Sequence, residues 1–143
     1  RIGNRASGGI DVKVLMVLIL SLFSKKVEEK KNPLWLQRSL IQMEKDSNFL
    51  RGLNYFIQIS GKSQEHLTRT MKSVSGKTPT EYLNDLKLTY AASELLSLDL
   101  SITEIAYASG FNNISHFNLL FKKKFGQPPG LYRKKSSGIF VLP

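Results

Sequence analysis

From residue 33 onward, apolar residues recur every three or four positions, with short polar breaks between the apolar stripes. Leu36, Leu40 and Met43 form one stripe, and the next consists of Leu50, Leu53, Phe56 and Ile57. This spacing places apolar side chains on one face of an α-helix, whereas a half-buried strand alternates at every second residue. The pattern predicts helices over residues 33–45, 49–59, 64–74, 79–98, 101–108, 113–125 and 131–134. No strand pattern follows residue 32, so the predicted fold class is all-α.

Capping residues mark several of these helix boundaries. Asn32 precedes Pro33, and an Asn cap followed by proline is a typical helix start. Residues 78–81 and 101–104 each begin with Thr or Ser and end with Glu, which is the pattern of a capping box. Gly61 is predicted to end the helix before it, since glycine readily takes positive φ at a helix end.

Two stretches of the chain repeat each other fifty positions apart. The residues that recur are His66, Lys72, Gly76, Pro79 and Tyr82, matched by His116, Lys122, Gly126, Pro129 and Tyr132. The apolar pairs Leu67/Phe117 and Met71/Phe121 match as well. A tandem repeat at this spacing indicates one supersecondary element built twice.

Each repeat consists of a helix, a Gly-containing turn of three or four residues, and a second helix, which is the outline of a helix-turn-helix. The helix predicted over residues 79–98 lies between the two motifs and would be about 30 Å long. Two helices that enter the major groove on one side of a duplex lie about 34 Å apart. The predicted linker helix therefore has the length needed to hold two DNA-reading helices at that separation.

Charge points to a polyanionic partner. The net charge is +10, and no Asp or Glu follows Glu104. The basic residues in that last stretch are Lys122, Lys123, Lys124, Arg133, Lys134 and Lys135. Such a patch is typical of nucleic-acid binding, although a solubilising face is the alternative interpretation.

Catalytic and metal chemistry are not predicted. The chain has no Cys and only two His, so it offers neither a disulfide nor the ligand cluster of a metal site. There is no Ser/His/Asp or Cys/His set and no phosphate-binding Gly loop. We therefore predict no enzymatic activity, no metal and no cofactor.

The outer face of each predicted reading helix supplies the candidate DNA contacts. At 100° per residue, polar residues lie opposite the apolar stripe. The base-edge candidates are Glu65, Thr68, Arg69, Ser115, His116, Asn118 and Leu119, and the phosphate candidates are Ser63, Lys72, Asn113, Lys122, Lys123 and Arg133. Arg pairs with guanine and Glu accepts from cytosine, whereas Lys suits phosphates as a mobile point charge.

The first 32 residues are predicted to be an N-terminal arm or linker. They are interpreted as a remnant of an upstream sensor domain. Residues 12–23 are strongly apolar but too few to span a bilayer, which needs about twenty residues. They are predicted to be a helix or strand that is buried or covered by a partner. The charged residues 24–32 are predicted to be a linker, and residues 136–143 a C-terminal tail.

Residues 34–135 resemble the DNA-binding domain of the AraC/XylS family of bacterial transcription regulators. The sharpest match is SITEIAYASGFNNISHFNLLFKKKFGQPPGLYR, residues 101–133. In the first half the matching residues are Gly61, Ser63, Leu67, Arg69, Lys72, Gly76, Pro79 and Tyr82. The segments GKSQEHL and GFNNISHFN are similar to regulators of cellobiose- or chitobiose-type sugar operons. Two positions depart from the family pattern: Leu119 stands where Arg is usual, and Pro128 replaces a small hydroxyl residue.

The resemblance implies a seven-helix domain over residues 33–135. Its first helix-turn-helix would cover about 49–75, its linker helix 79–98 and its second helix-turn-helix 101–125. It also implies a cytoplasmic, nucleoid-associated regulator, usually an activator, that binds promoter DNA and recruits RNA polymerase. No membrane partner is implied, and an effector-binding sensor domain would lie upstream. The alternatives are a module that binds RNA or DNA without sequence preference, and a protein-interaction domain with an acidic partner.

Overall fold

The computed structural model describes residues 11–28, 32–97 and 99–137. The chain divides into two compact units, Arg1–Pro33 and Leu34–Pro143. Parts of the predicted arm (1–10 and 29–31), the last residue of the predicted linker helix (Leu98) and most of the predicted tail (138–143) lie outside the described residues.

The first unit contains α1, Val12–Glu28. Residues 12–21, predicted to be either a helix or a strand, form a helix. Their side chains are exposed in this chain rather than buried. Val12 is 70% exposed and Leu20 62%. The helix continues through Glu28 into the predicted linker, because Lys and Glu are good helix formers and charge alone does not end a helix. Among the described residues, no helix combines the length and the apolar character that a membrane span needs.

The second unit contains seven α-helices and one 3-10 segment, and no strand occurs among its described residues. The helices are α2 (Leu34–Glu44), α3 (Gly52–Ser60), α4 (Gln64–Ser75), α5 (Pro79–Ser97), α6 (Ile102–Ala108), α7 (Ile114–Phe125) and α8 (Pro129–Ser137), with the 3-10 segment Lys45–Arg51 between α2 and α3. The predicted all-α, seven-helix class is therefore confirmed.

The helix predicted over residues 49–59 begins three residues late. Asp46 and Ser47 have φ of 50° and 58°, which breaks the chain direction after α2 and leaves a 3-10 segment before α3. Leu50 lies in that segment and is 39% exposed, so it is not part of the buried stripe. The last helix begins two residues earlier than predicted, because Pro129 fits the first helical position.

Two cores lie at opposite halves of α5. The first core consists of Leu36, Met43, Phe49, Phe56, Leu67, Met71 and Leu83, and the second of Leu88, Ala91, Ala92, Leu95, Ile105, Ala106, Phe111, Phe117 and Phe121. The repeated apolar pairs Leu67/Phe117 and Met71/Phe121 are buried at corresponding places. Because α5 contributes Leu83 to one core and Leu88 to the other, it joins the two repeats.

Capping boxes open α5 and α6 as the sequence predicts. Ser101 Oγ accepts from the Glu104 backbone N–H at 3.1 Å, and Glu104 Oε2 accepts from the Ser101 backbone N–H at 2.8 Å. Thr78 and Glu81 make the same reciprocal pair at 3.2 and 2.7 Å. The hydrogen bonds from Ser101 hold the pKa of Glu104 below its ordinary value, and those from Thr78 do the same for the pKa of Glu81.

These depressed pKa values predict a loss of stability in acid. A carboxylate whose pKa is lower in the folded state stabilises the fold above its unfolded pKa of about 4.3, and this contribution disappears as the pH falls through the folded pKa. Glu104→Gln, which keeps a capping side chain without a titrating group, should therefore show a smaller drop in melting temperature than the wild type between pH 5 and pH 3. Equal drops in thermal melts of the two proteins would contradict the role assigned to Glu104.

Candidate nucleic-acid interface

Two helix-turn-helix motifs, α3–α4 and α6–α7, carry the candidate interface. The first turn consists of residues 61–63, and Gly61 takes the left-handed conformation with φ 63°. The second turn, residues 109–113, is longer than the predicted three or four residues. Phe111 within this turn is 4% exposed and belongs to the second core. The longer turn therefore packs an aromatic side chain into that core.

The second helix of each motif begins at a side-chain cap. Ser63 Oγ accepts from the His66 backbone N–H at 3.2 Å, and Asn113 Oδ1 accepts from the His116 backbone N–H at 2.9 Å. Two of the six predicted phosphate ligands, Ser63 and Asn113, are thus the N-caps of α4 and α7. They are exposed at helix ends whose backbone N–H groups favour anions.

The outer face of α4 presents the first set of predicted contacts. Glu65, Arg69 and Lys72 are exposed and Thr68 is half-buried. Together with Gln64 they line one open groove along the helix. Donors and acceptors are therefore available side by side on the surface opposite the first core.

The outer face of α7 presents the second set. The exposed residues are Ser115, His116, Asn118, Leu119, Lys122 and Lys123. Leu119 is 67% exposed, so an apolar side chain stands in the middle of a polar and basic surface. Phe117 and Phe121 on the opposite side of the helix are fully buried and fix which face points outward.

Each repeated histidine lies against an aromatic ring. The rings of His66 and Trp35 have centroids 5.5 Å apart, and those of His116 and Phe111 are 6.4 Å apart. Lys62 Nζ lies 5.5 Å from the Trp35 ring, just before the start of α4. Sequence reasoning did not select Trp35 or Lys62 as site residues, because α2 and α4 are brought together only by the fold.

Two of the basic residues that follow Glu104 reach toward α5. Arg133, predicted to bind phosphate, donates from Nε to Leu95 O at 3.1 Å and from a terminal nitrogen to Leu100 O at 2.7 Å. Its guanidinium therefore braces the connection between α5 and α6, which is a different role from the predicted one. Lys122, Lys123 and Lys124 are all exposed, but the Nζ of Lys124 reaches α5 and donates to Asp85 O at 2.9 Å.

In the described part of the chain, no group of three or more His, Asp or Glu side chains is placed to hold a metal ion. The exposed groups of α4 and α7 instead form hydrogen-bonding and charged surfaces on helices of major-groove size.

Comparisons with known proteins agree with this geometry. A family model described as "Helix-turn-helix domain" matches residues 57–135. The HTH-type transcriptional activator RhaS of Yersinia pestis is 44% identical over 63 residues, which is 44% of this chain and 23% of RhaS. This chain thus spans about a quarter of the length of that relative. The cellobiose or chitobiose operon type is not tested by these matches and stays a prediction.

Solved structures share the same fold. The C-terminal domain of AraT, a response regulator from Geobacillus stearothermophilus, has a TM-score of 0.63 at 25% identity, covering 73% of this chain and 88% of that one. The DNA-binding domain of the global transcriptional factor AdpA, solved in complex with a target DNA, has a TM-score of 0.65 and covers 76% and 97% of the two chains. At 18% identity, the likeness to AdpA concerns the fold alone.

Proposed function

Because this chain belongs to the AraC/XylS family, a family of DNA-binding regulator domains rather than of enzymes, we propose that it binds promoter DNA with sequence specificity and regulates transcription of a bacterial operon. The observation that supports this most directly is the pair of helix-turn-helix motifs in one compact unit, each with an exposed polar second helix. In such motifs the second helix lies in the major groove and its side chains contact base edges.

In this proposal α4 and α7 read DNA in different ways. Arg69 and Glu65 on α4 contact guanine and cytosine, with Thr68 beside them, while Lys72 neutralises a phosphate. On α7, Leu119 packs against a thymine methyl among the polar residues Ser115, His116 and Asn118. Lys122 and Lys123 contact phosphates, as do the caps Ser63 and Asn113.

The wider biology of the protein is also part of the proposal. The chain would act as the DNA-binding part of a cytoplasmic, nucleoid-associated activator of a sugar-utilisation operon, recruit RNA polymerase, and take its signal from a sensor domain upstream. The activator role is supported by RhaS, which is named as a transcriptional activator, and the remainder by the family resemblance.

Selection of bound sequences from random duplex DNA, using the full chain, tests the proposal. We expect enrichment of a site with two blocks about one helical turn, or 10 bp, apart. Competition with random duplex and with structured RNA should leave the selected site bound, because specific binding is typically about a thousandfold or more tighter than non-specific binding. Equal affinity for all three nucleic acids would favour a non-specific module, and absence of duplex binding near physiological salt would favour a protein-interaction domain.

Leu119→Arg should tighten DNA binding and add a preference for guanine at one position. The substitution restores a guanidinium on the exposed face of α7, where one new phosphate or base contact makes the salt dependence steeper by about one unit of slope. Fluorescence anisotropy over a salt series measures both quantities.

Ile41→Arg provides the matched control, since Ile41 on α2 is 66% exposed and Leu119 67%. It adds the same charge away from the proposed interface, so it should change the affinity much less. If the two variants bind identically, the outer face of α7 does not meet DNA.

A further inference from the structure

A charged cluster on the first half of α5 connects the two repeats. Its centre is Asp85, whose carboxylate pairs with Lys77 and Lys124. Lys77 follows the end of α4, whereas Lys124 lies in the last turn of α7. One carboxylate therefore receives a cation from each repeat, and we call Asp85, Lys77, Lys124 and Thr89 the Asp85 cluster.

Lys124 makes the contacts that cross from the last turn of α7 to the middle of α5. Its Nζ donates to Asp85 O at 2.9 Å and to Thr89 Oγ1 at 3.1 Å, and lies 3.4 Å from Asp85 Oδ1. The side chains of Lys124 and Asp85 are 28% and 32% exposed, so solvent screens their attraction only in part. This arrangement holds the ammonium group of Lys124 in one place.

An open groove adjoins the Asp85 cluster at the edge of the second core. A groove of about 320 Å³ lies between the C-terminal half of α7 and the first half of α5, and Asp85, Leu120, Lys123 and Lys124 are among its lining residues. Leu88, the first residue of α5 in the second core, also lines this groove. Leu120, Phe121 and Phe125 already join α7 to the second core. The Asp85 cluster adds polar contacts between the last turn of α7 and α5.

The electrostatics of Asp85 agree with this role. Burial by itself would raise the pKa of the Asp85 carboxyl, but the hydrogen bond from Lys77 and the charges of Lys124 and Lys77 outweigh it and lower the pKa below its ordinary value. The carboxylate is therefore ionised at neutral pH, as the cluster requires.

We propose that Asp85 is a positioning residue that fixes the direction of α7 relative to α4, and thereby selects the spacing between the two half-sites in DNA. The effect on spacing rests on the function proposed above, whereas the effect on helix direction does not. The inference also divides the basic run of α7: Lys122 faces solvent for phosphates, Lys123 is exposed at the edge of the groove, and Lys124 holds the helix in place.

The first experiment measures, without DNA, the distance between α4 and the turn that leads into α7, which changes if α7 changes direction. The chain contains no cysteine, so Ser73→Cys on α4 and Asn112→Cys before α7 provide two unique sites for spin labels. We expect a narrow distance distribution in the otherwise unchanged protein and a broader or shifted one in Asp85→Asn. Lys124→Met, which removes all three contacts of the ammonium group, should broaden it at least as much.

Matched controls separate this effect from a change of charge. Glu94→Gln removes one negative charge from the same helix outside the Asp85 cluster, and Lys134→Met removes one positive charge from α8. Both should keep the narrow distribution. Far-UV circular dichroism of each variant shows whether the helices remain folded. Unchanged distances in folded Asp85→Asn and Lys124→Met would overturn the inference.

The second experiment measures half-site spacing. Affinities are compared for the selected DNA site and for versions with one base pair added or removed between the two blocks. In Asp85→Asn the discrimination against the altered spacings should fall by about threefold, since a partly exposed ion pair contributes up to about fivefold in an equilibrium constant. Glu94→Gln should discriminate like the wild type.

The two possible failures are distinguishable. If the wild type selects no site, the proposed function fails, while the distance measurement still tests the positioning role. If the wild type selects a spaced site and Asp85→Asn discriminates between spacings equally well, the function stands and the selection of spacing by Asp85 is wrong.

Discussion

Phe117→Ala should lower the free energy of unfolding by about 3–5 kcal/mol, the usual cost of removing a fully buried aromatic ring. Phe117 has no exposed surface, and its ring centroid lies 5.1 Å from that of Phe111 and 5.6 Å from that of Phe121. The substitution would leave a cavity between α7 and the turn before it, inside the second core. Denaturant unfolding followed by circular dichroism measures the loss.

Leu119→Ala is the control for this prediction, because Leu119 lies two residues further along α7 and is 67% exposed. A substitution at such a surface position usually changes stability by no more than about 0.5 kcal/mol. A similar loss in both variants would mean that α7 is not oriented by Phe117 and that its outer face is wrongly assigned.

Arg69→Ala should weaken binding to the selected DNA site by about 1–3 kcal/mol and relax the preference at one base pair. The guanidinium of Arg69 is exposed on the outer face of α4, where it can donate two hydrogen bonds to the O6 and N7 atoms of guanine. Its removal leaves the fold intact, since the buried face of α4 consists of Leu67 and Met71. Affinities for the selected site and for its single-base variants give both effects.

Arg38→Ala removes the same side chain from an exposed position on α2 and should leave the base preference unchanged. The pattern of loss then decides the role of Arg69. A uniform loss on every sequence would make Arg69 a phosphate contact, and no loss beyond that of Arg38→Ala would remove it from the interface.

The order and class of the helices could be predicted because local signals mark them. Apolar spacing and capping residues act within a few positions, as in the box formed by Ser101 and Glu104, and the structure has both hydrogen bonds of that box. The repeat placed Phe117 and Phe121 in the second core by analogy with Leu67 and Met71, and all four are buried. The resemblance to the AraC/XylS family is confirmed by the family match over residues 57–135.

The break between α2 and α3 could not be predicted from spacing. The apolar stripe at Leu50 and Leu53 continues in helical register through the 3-10 segment. Asp46 and Ser47 adopt positive φ, which is uncommon for residues other than glycine and costs energy that the surrounding packing must offset. Such a conformation depends on tertiary contacts and leaves no clear mark in the sequence.

The contacts of long basic side chains could not be predicted from the sequence either. A helical wheel places the α-carbon of Lys124 or Arg133, but the flexible stem lets the charge reach backwards over a neighbouring helix. The partners of these two residues, Asp85 and Leu95, lie 39 and 38 positions earlier in the chain. The sequence identified the basic stretch, and only the fold shows which charges remain on the surface.

Because α5 is continuous from Leu83 to Leu88, the number of residues in this helix sets the rotation of the second motif relative to the first. One inserted residue between these positions would rotate everything downstream by about 100° and advance it by about 1.5 Å. Chimeras that exchange one half of this chain for the equivalent half of a relative would therefore have to keep the crossover in register. A chimera with one residue too many or too few in α5 would still fold both cores. Its helices α4 and α7 would then face different sides of the DNA duplex.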